Sequence, residues 1–261
     1  MRLIVLGCSG SGPGPESPAS GYLVEAGSTR ITLDLGNGTF GALQRHLDPW
    51  QLDATVFSHL HPDHCSDFAS LAVHRRYHPR PPYDPTVAPL AVHAPAGAAD
   101  RFAAAYAVSE QERAATDLTD VFTFHDLVAG EPLRVGAGDD AVTVTAYPVD
   151  HPCTAYALRV SHTGRTLVYS GDTGPCDGLV AAARGADLFL CEASWPHAAG
   201  LPAGVHLSGR QAGEHAAAAG AARLVLTHVP AWYDAAELTV EAKGAFGGTV
   251  EQALPDAVFE V

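Results

Sequence analysis

Six consecutive residues, His59-Leu60-His61-Pro62-Asp63-His64, constrain this chain more than any other feature. Three imidazoles and a carboxylate crowd one loop, and burying them costs desolvation of every polar group unless a cation compensates. Alternate residues of an extended segment point the same way, so His59 and His61 can share one cation while Asp63 and His64 turn toward a second. Ala54-Phe57 before them reads as a short buried strand, so the cluster falls just past a strand end.

The rest of the chain supplies a scaffold for such a loop. Segments 2-7, 21-26 and 30-34 are short β-branched or alternating runs separated by Gly, Ser and Pro, and read as a three-strand meander. Residues 39-47 and 67-77 have helical spacing, a Pro-rich loop covers 79-89, and a strand near 90-93 precedes a helix near 96-106. From 120 to 170 strands return, including 142-147, 155-160 and 166-170. Helices 177-184, 208-219 and 236-244 then alternate with strands 187-191 and 223-227, before a last strand near 257-261. Sheets with helices outside them, an αββα sandwich of two mixed sheets, is the economical assembly. At 261 residues with no linker, one domain spanning 1-261 is expected.

Charge narrows the partners. The net charge is −14 and Lys243 is the only lysine, so no broad basic face is available for a phosphate backbone and no large nucleic-acid partner is expected. Bound divalent cations would still draw a small phosphate ester to the site. Cys8, Cys65, Cys153, Cys176 and Cys191 form neither a CxxC pair nor an even set, which fits a reducing compartment. The apolar run before Cys8 is only about five residues, shorter than a signal sequence needs. No apolar stretch approaches the roughly 20 residues of a spanning helix. A soluble, cytoplasmic protein with no membrane partner is the expectation.

The intact HxHxDH pattern at 59-64 resembles the metallo-β-lactamase superfamily, and the resemblance extends over nearly the whole chain. It implies that His151, in YPVDHP, completes a first metal site with His59 and His61. Asp172, in YSGDTG, then matches the metal-bridging aspartate, and His228, in LTHVP, joins Asp63, His64 and Asp172 at a second metal. Glycines beside Asp172 let the backbone turn tightly enough for its carboxylate to reach both sites. The expected cofactors are two divalent ions, zinc by default, with manganese or iron accepted by the same donors. Two such ions roughly 3.5-4 Å apart activate a bridging water, so hydrolysis of phosphodiesters by the resulting hydroxide is chemistry the site suits. Asp63 belongs to the catalytic set in that reading.

Cys191-Glu192-Ala193-Ser194 and His206-Leu207-Ser208 resemble motifs of the ribonuclease Z-like branch, where the additional histidine lies beside the scissile phosphate. His206 is thereby a candidate proton donor and Glu192 its orienting partner. The alternative is structural: His206 as the neighbour of Ser208, which can cap a helix, and Glu192 as a buried pair member. The tRNA-processing members resemble one another in a long arm between the third histidine and the bridging aspartate, and only residues 152-171 are available for one here. A closer resemblance is to the actinobacterial atypical class II cyclic-nucleotide phosphodiesterases, carried by LGCSGSGPGPESPASGYLV, SHLHPDHCSD, YSGDTGPCD, FLCEASWPH and LTHVPAW. It implies hydrolysis of 3′,5′-cyclic AMP to 5′-AMP, and a homodimer paired through segment 67-78. An RNA endonuclease and a thioester or lactone hydrolase remain the competing classes. Candidate substrate contacts are Ser11 in the Gly/Pro-rich N-terminal loop with Ser9 and Ser17, Arg76 beside Arg75 and Tyr77, and Trp195 with Trp232; a helix end or an interface equally accommodates the arginines.

Overall fold

The computed structural model describes residues 1–261. The chain opens with β1 (Arg2–Gly7), β2 (Gly21–Ala26) and β3 (Thr29–Leu35), the expected meander. A short helix α1 (Thr39–Leu43) leads to β4 (Ala54–Val56), and α2 (Pro62–Cys65) and α3 (Phe68–Tyr77) follow the histidine-rich loop. Then come β5 (Leu90–Ala94), α4 (Ala98–Tyr106), α5 (Glu110–Ala115) and β6 (Phe122–Asp126), which ends the first half. The second half runs β7 (Pro132–Val135), β8 (Val142–Pro148), β9 (Tyr156–His162), β10 (Arg165–Tyr169), α6 (Asp177–Ala183), β11 (Leu188–Glu192), α7 (Gly209–Ala219), β12 (Arg223–Thr227), α8 (Ala235–Ala245), β13 (Thr249–Gln252) and β14 (Val258–Glu260).

The strands form two seven-stranded sheets, ordered β14-β1-β2-β3-β4-β5-β6 and β13-β12-β11-β10-β9-β8-β7. Each is antiparallel in one part and parallel in the other: β1, β2 and β3 pair antiparallel before β3-β4-β5-β6 run parallel, and β10-β11-β12-β13 run parallel beside antiparallel β9 and β8. The period-2 alternation of strands explains the layering. Leu3 and Val5 of β1 join the apolar layer between the sheets, whereas Ile4 and Leu6 face the layer under α1, α3 and α4. Likewise Val225 of β12 points between the sheets, and Leu224 and Leu226 pack beneath α6, α7 and α8. The αββα sandwich of two mixed sheets is thus the observed architecture. No helix is long and apolar enough to cross a membrane.

One expectation needs correction in extent, and two short elements were not anticipated. The helix read over 39-47 stops at Leu43, because Arg45 and His46 bond only three residues back, to Ala42 and Leu43, before a last four-residue bond from Leu47 to Leu43. A one-turn helix at 62–65 begins inside the histidine-rich loop, with Pro62 at its first position, where the missing N–H costs nothing. Residues 249–252 form an additional edge strand, β13, parallel to β12.

Candidate metal centre

The charged loops gather at one rim of the sandwich, each leaving a strand. β4 delivers His59 and His61, β8 delivers His151, β10 delivers Asp172, β11 ends in Glu192, and β12 delivers His228. Carboxyl ends of strands are where open sheets place their ligand sites. Gly171 has φ 58, and a Cβ there would stand 2.8 Å from the Tyr156 carbonyl, so only glycine allows the turn that swings Asp172 inward.

Three groups of donor atoms result, each with its atoms within 4.8 Å of one another: His59, His61 and His151; Asp63, His64, Asp172 and His228; and Asp172, Glu192 and His206. In the first, His61 Nδ1 lies 3.1 Å from both His59 Nε2 and His151 Nε2. In the second, Asp172 places one oxygen 3.1 Å from His64 Nε2 and the other 3.3 Å from His228 Nε2, with Asp63 Oδ2 3.7 and 3.8 Å from the same nitrogens. The oxygen near His228 is also 3.7 Å from His59 Nε2, so one carboxylate adjoins both groups.

The second nitrogen of four of these histidines is held elsewhere, which fixes ring and tautomer. His64 Nδ1 donates to Asp34 at 2.7 Å, His228 Nδ1 to Ser20 Oγ at 2.8 Å, His59 Nδ1 to Ser58 Oγ at 3.1 Å, and His151 Nδ1 to the Val205 carbonyl at 2.9 Å. Asp34 also accepts from the Ser58 N–H and hydroxyl and from Tyr169 OH. These orienting groups were not singled out in the sequence. Asp34 carried a signal, since an acid inside the apolar run Leu33-Asp34-Leu35 must find buried partners.

The donor set fits divalent cations. His64 Nε2, Asp172 Oδ1 and His228 Nε2 are buried without a hydrogen-bond partner, an arrangement that costs free energy unless a cation accepts their lone pairs. The electrostatics agree. Burial resists charge on Asp172, yet His228 and His64 outweigh it and hold the carboxyl well below its usual range. Burial, followed by His64, keeps the His59 ring neutral and available as a donor.

The third group is a hydrogen-bonded dyad. Glu192 is fully buried and accepts from His206 Nδ1 at 2.9 Å, from the Thr173 and Leu207 N–H groups and from the Ser194 hydroxyl. Burial opposes protonation of His206, but Glu192 and then Asp172 outweigh it and raise its pKa to about 9. Cations in the adjoining groups push that value back down. The ring lies 5.7 Å from His151 and 5.5 Å from His228, facing both pockets, while Trp195 meets it edge-on at 5.2 Å. Ser208 does cap α7, through a capping box with Gln211, so the residue after Leu207 has the structural role and His206 is free of it.

One candidate substrate contact is engaged elsewhere. Arg76 sits at the end of α3 with its guanidinium bound to Asp120 and lying over Tyr106, because those partners on neighbouring elements meet it first. Ser11 is exposed in a left-handed conformation, φ 60, in the N-terminal loop. Arg75 is buried against Trp50, Tyr83 and Phe122 and donates to the Val121 and Ala88 carbonyls, a packing role.

Comparison with known proteins follows the same outline. A family model described as "Beta-lactamase superfamily domain" matches residues 29–229. An uncharacterized protein of Mycobacterium tuberculosis is 44% identical over 100% of this chain and 92% of its own length. The probable metallo-hydrolase YhfI of Bacillus subtilis is 30% identical over 100% of both chains. Its crystal structure, described as a metallo-β-lactamase fold protein, superposes with a TM-score of 0.81 at 27% identity, covering 99% of each chain. Ribonuclease Z of Myxococcus xanthus is 29% identical over 100% of this chain and 98% of its own, in an alignment of 312 positions against the 261 residues here.

Proposed function

Because this chain belongs to the metallo-β-lactamase superfamily, we propose that its two donor groups work as one binuclear centre that hydrolyses small phosphodiesters, with 3′,5′-cyclic AMP as the preferred substrate. The observation that carries this reading is the Glu192–His206 dyad placed against Asp172 at the edge of both donor groups. A thioester hydrolase expels a thiolate that departs without a proton, whereas an alkoxide leaving from phosphorus gains from a positioned one.

In this reading His59, His61 and His151 hold one divalent ion and Asp63, His64, Asp172 and His228 the other. When bound, the ions supply Lewis acidity toward the phosphoryl oxygens and lower the pKa of water. The chain's own groups do the rest. Glu192 fixes the orientation of His206 by accepting a hydrogen bond from its Nδ1–H, so Nε2 is the atom that presents a proton to the departing ribose oxygen. Trp195 holds the ring against rotation and excludes water on that side. Asp34, Ser20, Ser58 and the Val205 carbonyl keep the ligand rings aimed as the substrate changes geometry.

A small substrate is supported by what lies between His151 and Asp172. Those residues are used by β9, β10 and the turn at Thr163-Gly164, leaving no insertion that could grip a folded RNA. The ribonuclease Z reading therefore keeps the dyad but loses a binding element. The five cysteines are all free thiols, which supports a cytoplasmic setting. The test is a panel: metal-loaded protein against cyclic nucleotides, linear diesters, precursor tRNA and lactones. Cyclic AMP should give 5′-AMP with the highest kcat/KM, and a lactone or tRNA turned over faster would displace this reading.

A further inference from the structure

Two histidines outside the metal centre face one another at the open edge of the sandwich, where β6 ends the first sheet and β7 ends the second. His93 of β5 lies directly opposite His125 of β6, on strands that run parallel. Val92 and Ala94 on either side of His93, like Phe122 on β6, point into the layer under the helices. Alternation therefore turns both imidazoles to the other face, between the sheet edges. A cavity of about 210 Å³ opens there, walled by Leu127, Pro132 and Leu133 and lined by both histidines together with Asp126 and Glu131.

The fold makes no use of these rings. Neither forms a hydrogen bond with the rest of the chain, although His93 is only 8% exposed, and none of their nitrogens is among the atoms sealed from solvent without a partner. The lone pairs therefore open on the cavity. Burial, followed by His125, keeps His93 uncharged, the state in which imidazole serves as a metal donor. The two ring centroids are 4.9 Å apart, against 4.8 to 5.0 Å among His59, His61 and His151 of the first donor group. Those three rings cross at 71° to 85°, whereas His93 and His125 lie within 18° of parallel. The Cβ–Cγ torsion of histidine is soft and His125 is exposed, so its ring can turn its nitrogen toward that of His93 while the backbone stays in place. No Arg or Lys lines the cavity, and its two acids give the mouth a negative charge. Its volume is below the roughly 300 Å³ of small-molecule pockets and suits an ion with a few waters of about 30 Å³ each.

We propose that this cleft binds one divalent cation of the borderline class, zinc, nickel or copper, with His93 and His125 as its protein donors and water completing the shell. Two neutral imidazoles select such a cation over magnesium or calcium, which take oxygen ligands. Asp126 and Glu131 draw the cation in and balance its charge. The site shares no residue with the donor groups of the rim and does not depend on which ester the rim hydrolyses.

The test is equilibrium dialysis of the untagged, zinc-loaded chain against Ni²⁺, with zinc and nickel counted together per chain. At the Ni²⁺ concentration that fills the site in the parent, His125→Ala should hold one ion fewer, because its rim donors are untouched and its position is exposed enough for the chain to fold. Calorimetry should show that ion bound roughly tenfold or more weakly in the variant, since even an outer partner of a metal ligand is worth about 10–100-fold. His93→Gln should show the same deficit. His78→Ala removes an exposed histidine elsewhere and should leave the count unchanged, as should excess magnesium. Equal counts in the parent and His125→Ala, loss of the ion with His78→Ala, or its displacement by magnesium would each overturn the proposal.

Discussion

At the scale of single residues, His206 is where chemistry and metal retention separate. It is tied to Glu192 and adjoins Asp172, but it is not among the seven residues of the two ligand groups. His206→Ala should therefore leave metal content unchanged while kcat for cyclic AMP falls by about 10²–10⁴ with little change in KM. The loss should be much smaller for bis(p-nitrophenyl) phosphate, whose phenolate departs without needing a proton. Equal losses on both substrates, or loss of metal with the histidine, would remove the proton-donor role. His59, His61, Asp63 and His64 were legible in the sequence because metal-binding side chains cluster there at short spacings that few other pressures produce, whereas the isolated His151, Asp172 and His228 were reached only through the family resemblance. Ser20, Ser58 and the Val205 carbonyl were not legible, since a hydroxyl or a carbonyl that orients an imidazole has no pattern until the fold brings it there. The partner of Arg76 was hidden for a related reason: a guanidinium on a helix takes whichever carboxylate lies nearest, and Asp120 is 44 residues away in sequence.

At the scale of elements, the strand-to-loop turn at Gly171 sets the position of Asp172. Gly171→Ala combines a left-handed backbone with a collision at the Tyr156 carbonyl, whereas Gly185 has a similar φ of 60 with nothing near its missing Cβ. Gly185→Ala should cost about 1–2 kcal/mol in urea denaturation, the ordinary penalty of that conformation. Gly171→Ala should cost roughly 3 kcal/mol or more and lower metal content as well. Equal costs would mean that crowding at the turn is unimportant. Strands β5 and β6 carry a second testable pair, His93 opposite His125, with ring centroids 4.9 Å apart. Burial, and then His125, lowers the His93 pKa to about 4. The unfolded chain takes up that proton near pH 6.5, so this site favours the folded state above about 6.5 and loses that contribution as pH falls toward 4. His93→Phe should flatten the dependence of stability on pH within that window, and an unchanged slope would contradict the assignment. Long apolar elements such as β1, β2 and α7 were readable from periodicity alone. The four-residue edge strand β13 and the six-residue α5 were not, because short, polar elements are decided by their neighbours in space.

At the scale of the whole molecule, charge and topology act together. In the proposed reading, a net charge of −14 and the short connection between His151 and Asp172 disfavour a large polyanion as substrate, even though the chain is 29% identical to a ribonuclease Z. Precursor tRNA should be cut at no more than a small fraction of the rate of cyclic AMP at equal concentration, measured at low and at moderate salt. Efficient, salt-sensitive trimming of its 3′ end would show that the chain grips RNA by another surface. The fold class itself followed from strands alternating with helices around loops rich in ligands, while the match between the sheets, each part antiparallel and part parallel, became visible only in the pairing.

In the proposed reading, two cations held by one shared aspartate turn this rim into a phosphodiesterase. The most direct measurement titrates chelator-stripped protein with a divalent metal while following both bound metal and hydrolysis of 3′,5′-cyclic AMP, with Asp172→Ala alongside. The account predicts that 5′-AMP formation rises to a plateau at two ions per chain and that the variant binds less metal and makes no product. Turnover that persists without metal, a plateau at two ions with no 5′-AMP formed, or an Asp172→Ala protein as active as the parent would contradict it.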